Sequence, residues 1–306
     1  MHGFPSAEPK RICLLVLGMR SGTSAFAQCL SKLGAGLPAN LLPGNHSNET
    51  GHFEPRRIVD FNDEFLGKLG TKWDTLRDPD LTQLPVEELA EDGIKLRDLI
   101  AAEYGTAPLI VLKEPRIGRL MPFYVEALEA CGHDVRVVLM RRHPVAVARS
   151  FVERDDDGLG YALLLWISYV LSVEFSTRGL RRTFVSYDDL MANPEHALSA
   201  VMPSLGMSLP PAEAIDAARN TIRQDLRHQH PDDEPVPAFV SDADGALDVL
   251  TRDDLSPWAM QTLDRQRKFV AHLVDRFENR ITTKMSTTEL FELCGAAAAS
   301  DKLVEA

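Results

Sequence analysis

ICLLVLGMRSGTSAFAQCLSKLG, residues 12–34, is the stretch on which the fold turns. Its first seven residues are an uninterrupted apolar run closed by Gly18, the pattern of a strand buried on both faces of a parallel sheet. From residue 23 to 33 the apolar positions switch to helical spacing, with Phe26, Leu30 and Leu33 on one side, and Gly34 and Gly36 end the segment. Strand, glycine-containing turn and helix in this order predict a β-α unit. Its turn would lie at the carboxyl end of the strand, where parallel sheets bind their ligands.

The same alternation continues down the chain. PLIVLKEP (108–115), DVRVVLMRR (134–142) and residues 183–186 read as further strands, with Arg136 marking a less buried position. Helices are predicted over 60–69, 84–103 and 121–130, from Pro144 onward, and after Gly160. The order β-α-loop-α-β-α-β-α-α-β-α predicts an α/β fold, a three-layer α/β/α sandwich on a central parallel sheet. Four or five strands are expected, with residues 12–17 in the middle. Residues 1–306 are expected to form one domain, with an α/β core over 11–194 and a mainly helical portion over 195–306. That portion contains a loop at 228–245, a surface excursion or a lid.

The turn itself, LGMRSGTSAF (17–26), carries chemistry. A glycine turn entering a helix presents several unpaired backbone N–H groups to one point. Gly22 allows close backbone approach, Thr23 and Ser24 add hydroxyls, and Arg20 adds a forked cation suited to phosphate or sulfate oxygens. The plain alternative is a β-to-α turn with a capping hydroxyl. The nucleotide-triphosphatase pattern is absent, because no lysine precedes Thr23.

This segment resembles the 5'-phosphosulfate loop of the sulfotransferase family, which reads as a basic residue followed by Ser-Gly-Thr and a small hydroxyl residue. Here those positions are Arg20, Ser21, Gly22, Thr23 and Ser24, and arginine in the basic slot is similar to the protein-tyrosine and bacterial branches. RHPVAVARS (142–150) resembles the family's 3'-phosphate segment. An arginine closing a strand and a serine two helical turns on, Arg142 and Ser150, can converge on one phosphate. VSYDDL (185–190) is similar to the strand-end segment whose tyrosine lies near the adenine. Tyr187 would pack on the base or else plug the sheet edge, and Asp188 is expected to cap the next helix.

The resemblance covers residues 11–194. It implies a P-loop nucleotide-hydrolase-like fold and a donor-binding role for that core. The donor would be 3'-phosphoadenosine 5'-phosphosulfate (PAPS), the product adenosine 3',5'-bisphosphate (PAP), and no metal would be needed. The basic, glycine-containing segment with which the family often closes on the 3'-phosphate has no counterpart; Arg265, Arg267 and Lys268 sit in a helical pattern.

Sulfuryl transfer needs a base for the acceptor proton, a cation facing the leaving phosphate, and in-line positioning. Glu54 and His52, in GHFEPRR, stand two positions apart and would point the same way in extended backbone. Glu54 is favoured by resemblance to tyrosine-modifying and some bacterial members, and His52 stays open. Arg56 or Arg57 would line the acceptor pocket or pair with Glu54. Lys113, at the mouth of an apolar strand, resembles the family's Lys-Asp-Pro segment and would neutralise the transferring sulfuryl group. Pairing with Glu114 is its structural alternative. Two other functions compete: a phosphate-loop phosphotransferase or kinase, and a catalytically silent nucleotide- or carbohydrate-binding protein.

Charge and composition narrow the partners. A net charge of −12 disfavours nucleic acid and anionic membranes, although a pocket can be basic inside an acidic shell. Cys13, Cys29, Cys131 and Cys294 form no zinc pattern and fit a reducing compartment. No apolar leader opens the sequence, and residues 161–175 read as a buried helix too short to span a bilayer, so a cytoplasmic location is expected. The acceptor is expected to be a small or medium hydroxyl compound, less readily an amine. Residues 41–57 and 228–245 would wall it, and Phe53, Trp73 and Phe239 would supply apolar surface. A homodimer is left open.

Overall fold

A computed structural model describes residues 10–44, 51–222 and 234–304. Four strands, β1 (Arg11–Leu17), β2 (Leu109–Leu112), β3 (His133–Arg141) and β4 (Arg181–Ser186), form one sheet in the order β2-β1-β3-β4. Every pairing is parallel; Leu15 stands opposite Leu112 on one side and Val137 on the other. The expected central position of residues 12–17 is therefore what the chain adopts.

The apolar run of β1 divides by strand alternation between two cores. Cys13, Leu15 and Leu17 face one, together with Ile110, Leu112, Val135, Val137 and Leu139. Leu14 and Val16 face the other with Val111, Val138, Met140 and Val185. All five of these β1 side chains are essentially sealed from solvent. Each buried Leu or Val contributes roughly 1.5–3 kcal/mol relative to exposure, which is why this sequence selects a strand covered on both faces.

The smaller core is closed by α1 (Thr23–Lys32), α7 (Tyr187–Ala192), α8 (Pro194–Ser204) and α9 (Ala212–Arg219). The larger core is closed by α2 (Arg56–Lys68), α3 (Val86–Tyr104), α4 (Met121–Ala130), α5 (Pro144–Asp155) and α6 (Leu159–Ser176). It also takes in α10 (Ala238–Leu250), α11 (Pro257–Phe277) and α12 (Thr287–Val304). The result is three layers, α/β/α.

Helix α6 is longer than its sequence suggests, 18 residues, and is long and apolar enough to cross a membrane by length and composition. In this fold 78% of it is buried, with Trp166 and Tyr169 inside the larger core. Its buried Glu174 is compensated by Arg178 at 2.6 Å and Arg182 at 2.9 Å.

Among the boundaries that differ from expectation, β2 stops at Leu112 rather than running to 115, and three others have a visible cause. The helix expected over 60–69 begins at Arg56, because Pro55 holds extended backbone at its N-cap and its carbonyl accepts from Ile58 and Val59. Strand β4 starts at Arg181, two residues early, because Arg182 is buried against Glu174 rather than solvated. The loop expected over 228–245 ends at Pro237. Its residues 228–233 lie outside the described residues, and α10 occupies the rest. The Ser, Asp and Gly of SDADG masked the helical spacing of Phe239, Val240, Ala243, Ala246, Leu247 and Leu250, all buried.

Candidate active site

The chain leaves β1 toward β2 on one side and β3 toward β4 on the other, so a crevice opens where the carboxyl ends of β1 and β3 diverge. The residue directly after each of the other three strands is a candidate from the sequence: Lys113 after β2, Arg142 after β3, Tyr187 after β4. The loop 18–22 follows β1. Parallel topology thus gathers segments separated by more than a hundred residues at one edge.

Positive φ at Gly18 (141°), Arg20 (51°) and Gly22 (81°) folds the β1 loop back over this edge. Arg20 Nε donates to Ser150 Oγ at 2.8 Å. Arg142 Nη1 donates to the Arg20 carbonyl at 3.2 Å, and its guanidinium lies 4.5 Å from the centre of the Tyr187 ring. Arg20, Gly22, Thr23, Ser24, Arg142, Ser150 and Tyr187 line one open cleft with Lys113, Glu54 and His52. Ser21 is not on its wall; its hydroxyl turns inward to the Met19 carbonyl at 2.8 Å and shapes the loop. Burial lowers the pKa of the Arg20 guanidinium, and the nearby Arg154 and Arg142 cations lower it further. Helix α7 is capped by Ser186, whose hydroxyl accepts from Asp189, so the expected capping role of Asp188 belongs to its neighbour.

Gly22 has a second reason to be glycine. A Cβ there would stand 2.5 Å from Tyr187 Cδ2. Gly22→Ala therefore adds left-handed strain of roughly 1–2 kcal/mol and displaces the tyrosine ring from the cleft. Should the cleft take PAP, its affinity is expected to fall about tenfold or more, read by calorimetry beside a thermal melt. Unchanged affinity would mean that Tyr187 and the loop do not meet the ligand.

Lys113 Nζ lies 2.5 Å from Glu54 Oε1, and both side chains are buried. The expected alternative, a pair with Glu114, does not form. Glu114 accepts from Arg116 at 2.5 Å and Asn62 at 2.6 Å, and burial pushes its carboxyl upward. The His52 carbonyl accepts from Lys113 at 3.1 Å and Ser24 at 3.2 Å, tying this segment to the β1 loop. The extended backbone assumed between His52 and Glu54 is absent, because Phe53 has φ 55°. Both residues nevertheless line the cleft. Burial is the first cause lowering the imidazole of His52, with Lys113, Arg20 and Arg154 adding and Glu54 opposing. Arg56 and Arg57 are turned away, 3.4 Å from Asp60 and 3.8 Å from Glu103.

A second cavity of about 370 Å³ adjoins the first. Arg20, His52, Glu54, Pro115 and Arg154 belong to both walls, whereas Lys113 belongs only to the first. Of the three aromatic residues expected at the acceptor, Trp73 lines the second cavity. Phe53 and Phe239 do not: Phe53 packs on the smaller core, and Phe239 lies in the larger one, 5.2 Å from Phe269. The sequence reading assigned no role to Arg154, which lies over Trp73 at 4.8 Å and Phe151 at 5.2 Å. The signal was present: Ser150 and Arg154, four apart, share one face of a helix. Arg116, Arg119 and Tyr169 were also missed, since nothing local marks them. Among the described residues no group of His, Cys, Asp and Glu is placed to hold a metal ion.

No family model and no curated protein matches this chain. Solved structures do. The sulfotransferase domain of the Synechococcus PCC 7002 olefin synthase is 20% identical, over 87% of this chain and 96% of that one, with a TM-score of 0.44. Sulfotransferase STF9 from Mycobacterium avium is 17% identical, over 89% of this chain and 78% of its own, with a TM-score of 0.42. The sulfotransferase domain from the curacin biosynthetic pathway is 16% identical, over 77% and 96%, with a TM-score of 0.41. Similarity at this level carries no chemistry across from those proteins to this one.

Proposed function

We propose that this protein is a sulfotransferase moving a sulfuryl group from PAPS to a hydroxyl of a small acceptor. One observation carries the reading: Arg20, Arg142, Ser150 and Tyr187, from three separated segments, share a cleft that abuts a second cavity at Glu54 and His52. The residues suit the donor. The β1 loop and the start of α1 offer N–H groups to a 5'-phosphosulfate, Arg142 and Ser150 offer donors to a 3'-phosphate, and Tyr187 offers a ring to the base.

When bound, the donor supplies the sulfuryl group and a phosphate leaving group. Glu54, on the wall between the cavities, takes the acceptor's proton as the new O–S bond forms. Lys113, on the donor side alone, faces the charge that grows as the bond to the leaving phosphate breaks. The second cavity positions the acceptor for in-line attack.

The test begins with PAP. Arg142→Ala is expected to cost on the order of 2 kcal/mol in PAP binding and much less in AMP binding, since only the first ligand carries the 3'-phosphate. Calorimetry with both ligands decides. Equal losses would remove Arg142 from that role, and a preference for ADP with magnesium over PAP would favour a phosphotransferase.

A further inference from the structure

The second cavity combines two features. Trp73 and Phe151, ring centres 6.2 Å apart, give it an aromatic wall, joined by Val59 and Leu66. Set into that lining are five cations, Arg20, Lys72, Arg116, Arg119 and Arg154, against two carboxylates, Glu54 and Asp155. A basic chamber with an apolar wall, inside a chain of net charge −12, needs a cause.

Three of the cations are neutralised at home: Lys72 by Asp74 at 3.2 Å, Arg154 by Asp155 at 2.6 Å, and Arg116 by Asp63 at 2.7 Å and Glu114 at 2.5 Å. Arg20 turns to Ser150 on the donor side. Arg119 differs. Its Nη1 donates to the carbonyls of Thr75 and Arg77, while buried Nε and Nη2 have no hydrogen-bond partner and no carboxylate pairs with it among the described residues. Burial lowers its pKa, and the charges of Asp78 and Asp74, neither of them paired with it, only partly oppose that. The guanidinium lies over the Tyr169 ring at 6.0 Å, a weak compensation for burying a cation that makes no ion pair among the described residues.

Resting on the sulfotransferase reading, we propose that the acceptor is an amphiphilic anion, an apolar or aromatic hydroxy compound bearing a carboxylate or a chemically similar monoanion. Its apolar body lies along Trp73 and Phe151, its hydroxyl reaches Glu54, and its anionic group compensates Arg119. A cavity of about 370 Å³ is of a size for such a small molecule, and too small to enclose a polymer.

The experiment is an equilibrium titration of the intact protein with para-hydroxyphenylpropionate and with its primary amide, which has the same skeleton and no charge. The carboxylate is expected to bind about tenfold more tightly or better, a charge-assisted contact being the only difference. In Arg119→Met the two affinities are expected to converge, and in Arg119→Lys part of the preference should remain. Equal affinities in the unmodified protein, no binding of either compound, or a preference unchanged in Arg119→Met would each overturn the proposal. The unmodified protein alone decides the first two outcomes, so a variant that fails to fold leaves the test intact. PAP titrated in parallel separates the two readings. Tight PAP binding with no carboxylate preference sinks this inference alone, whereas absent PAP binding sinks the donor assignment.

Discussion

Glu54→Gln is expected to lower turnover by about a hundred- to ten-thousandfold while PAP binding stays within a factor of about two. The amide keeps the size of the side chain and can still accept a hydrogen bond from Lys113, but it cannot take up the acceptor's proton at neutral pH. On the proposed mechanism Glu54 takes the proton from the wall common to both cavities. His52 shares that wall, so its variant is the necessary comparison. His52→Asn is expected to do less. The pH profile separates the two assignments. Burial sets the imidazole below its ordinary value of 6.5, so a histidine base would lose activity as pH falls through that lower value. An acid limb of this kind, present in Glu54→Gln and lost in His52→Asn, would move the assignment to His52.

The second large effect belongs to Lys113. Lys113→Met leaves the Glu54 carboxylate buried without its cation, a change that typically costs about 3–5 kcal/mol of stability. On the proposed mechanism it also removes the charge facing the leaving phosphate, so turnover should collapse as well. Two consequences of one substitution are separated by a double variant. Lys113→Met combined with Glu54→Gln removes both charges and is expected to regain most of the lost stability, because the penalty lies in the unpaired partner. Activity is not expected to return. Denaturant titrations of the four proteins complete the cycle. If the double variant is as unstable as the sum of the singles, the two side chains are not coupled, and the 2.5 Å pair has no energetic counterpart. If activity does return, neither Glu54 nor Lys113 is required for the reaction.

The charge of the chain illustrates how a global quantity misleads locally. A net −12 argues against polyanionic partners at the surface. It says nothing about the interior of a cavity, where Arg119 makes no ion pair among the described residues while Asp63 and Asp155 pair with other cations. The sequence placed the arginines along the chain, and the folded topology selected those that face a common space.

Local chemistry sufficed for the sheet. A run such as Ile12–Leu17 can hide both its faces only between two helical layers, so its sequence dictates a central parallel strand, and the register of β1 with β2 and β3 follows. Arg20, Gly22, Arg142 and Tyr187 sit in the segments that follow parallel strands and so gather at one edge, which Ser150 reaches from α5; what singled out Arg142 and Ser150 in the sequence was the motif resemblance. Other features depended on contacts between segments far apart in sequence. That Ser21 turns inward, that Lys113 chooses Glu54 over the adjacent Glu114, and that Phe239 enters the core were decided only when separate elements met. The second cavity belongs mostly to this second kind. Its walls come from α2, α5 and α6, from the segments on either side of α2, and from those after β1 and β2, and no local pattern in any one of them encodes the space they enclose together.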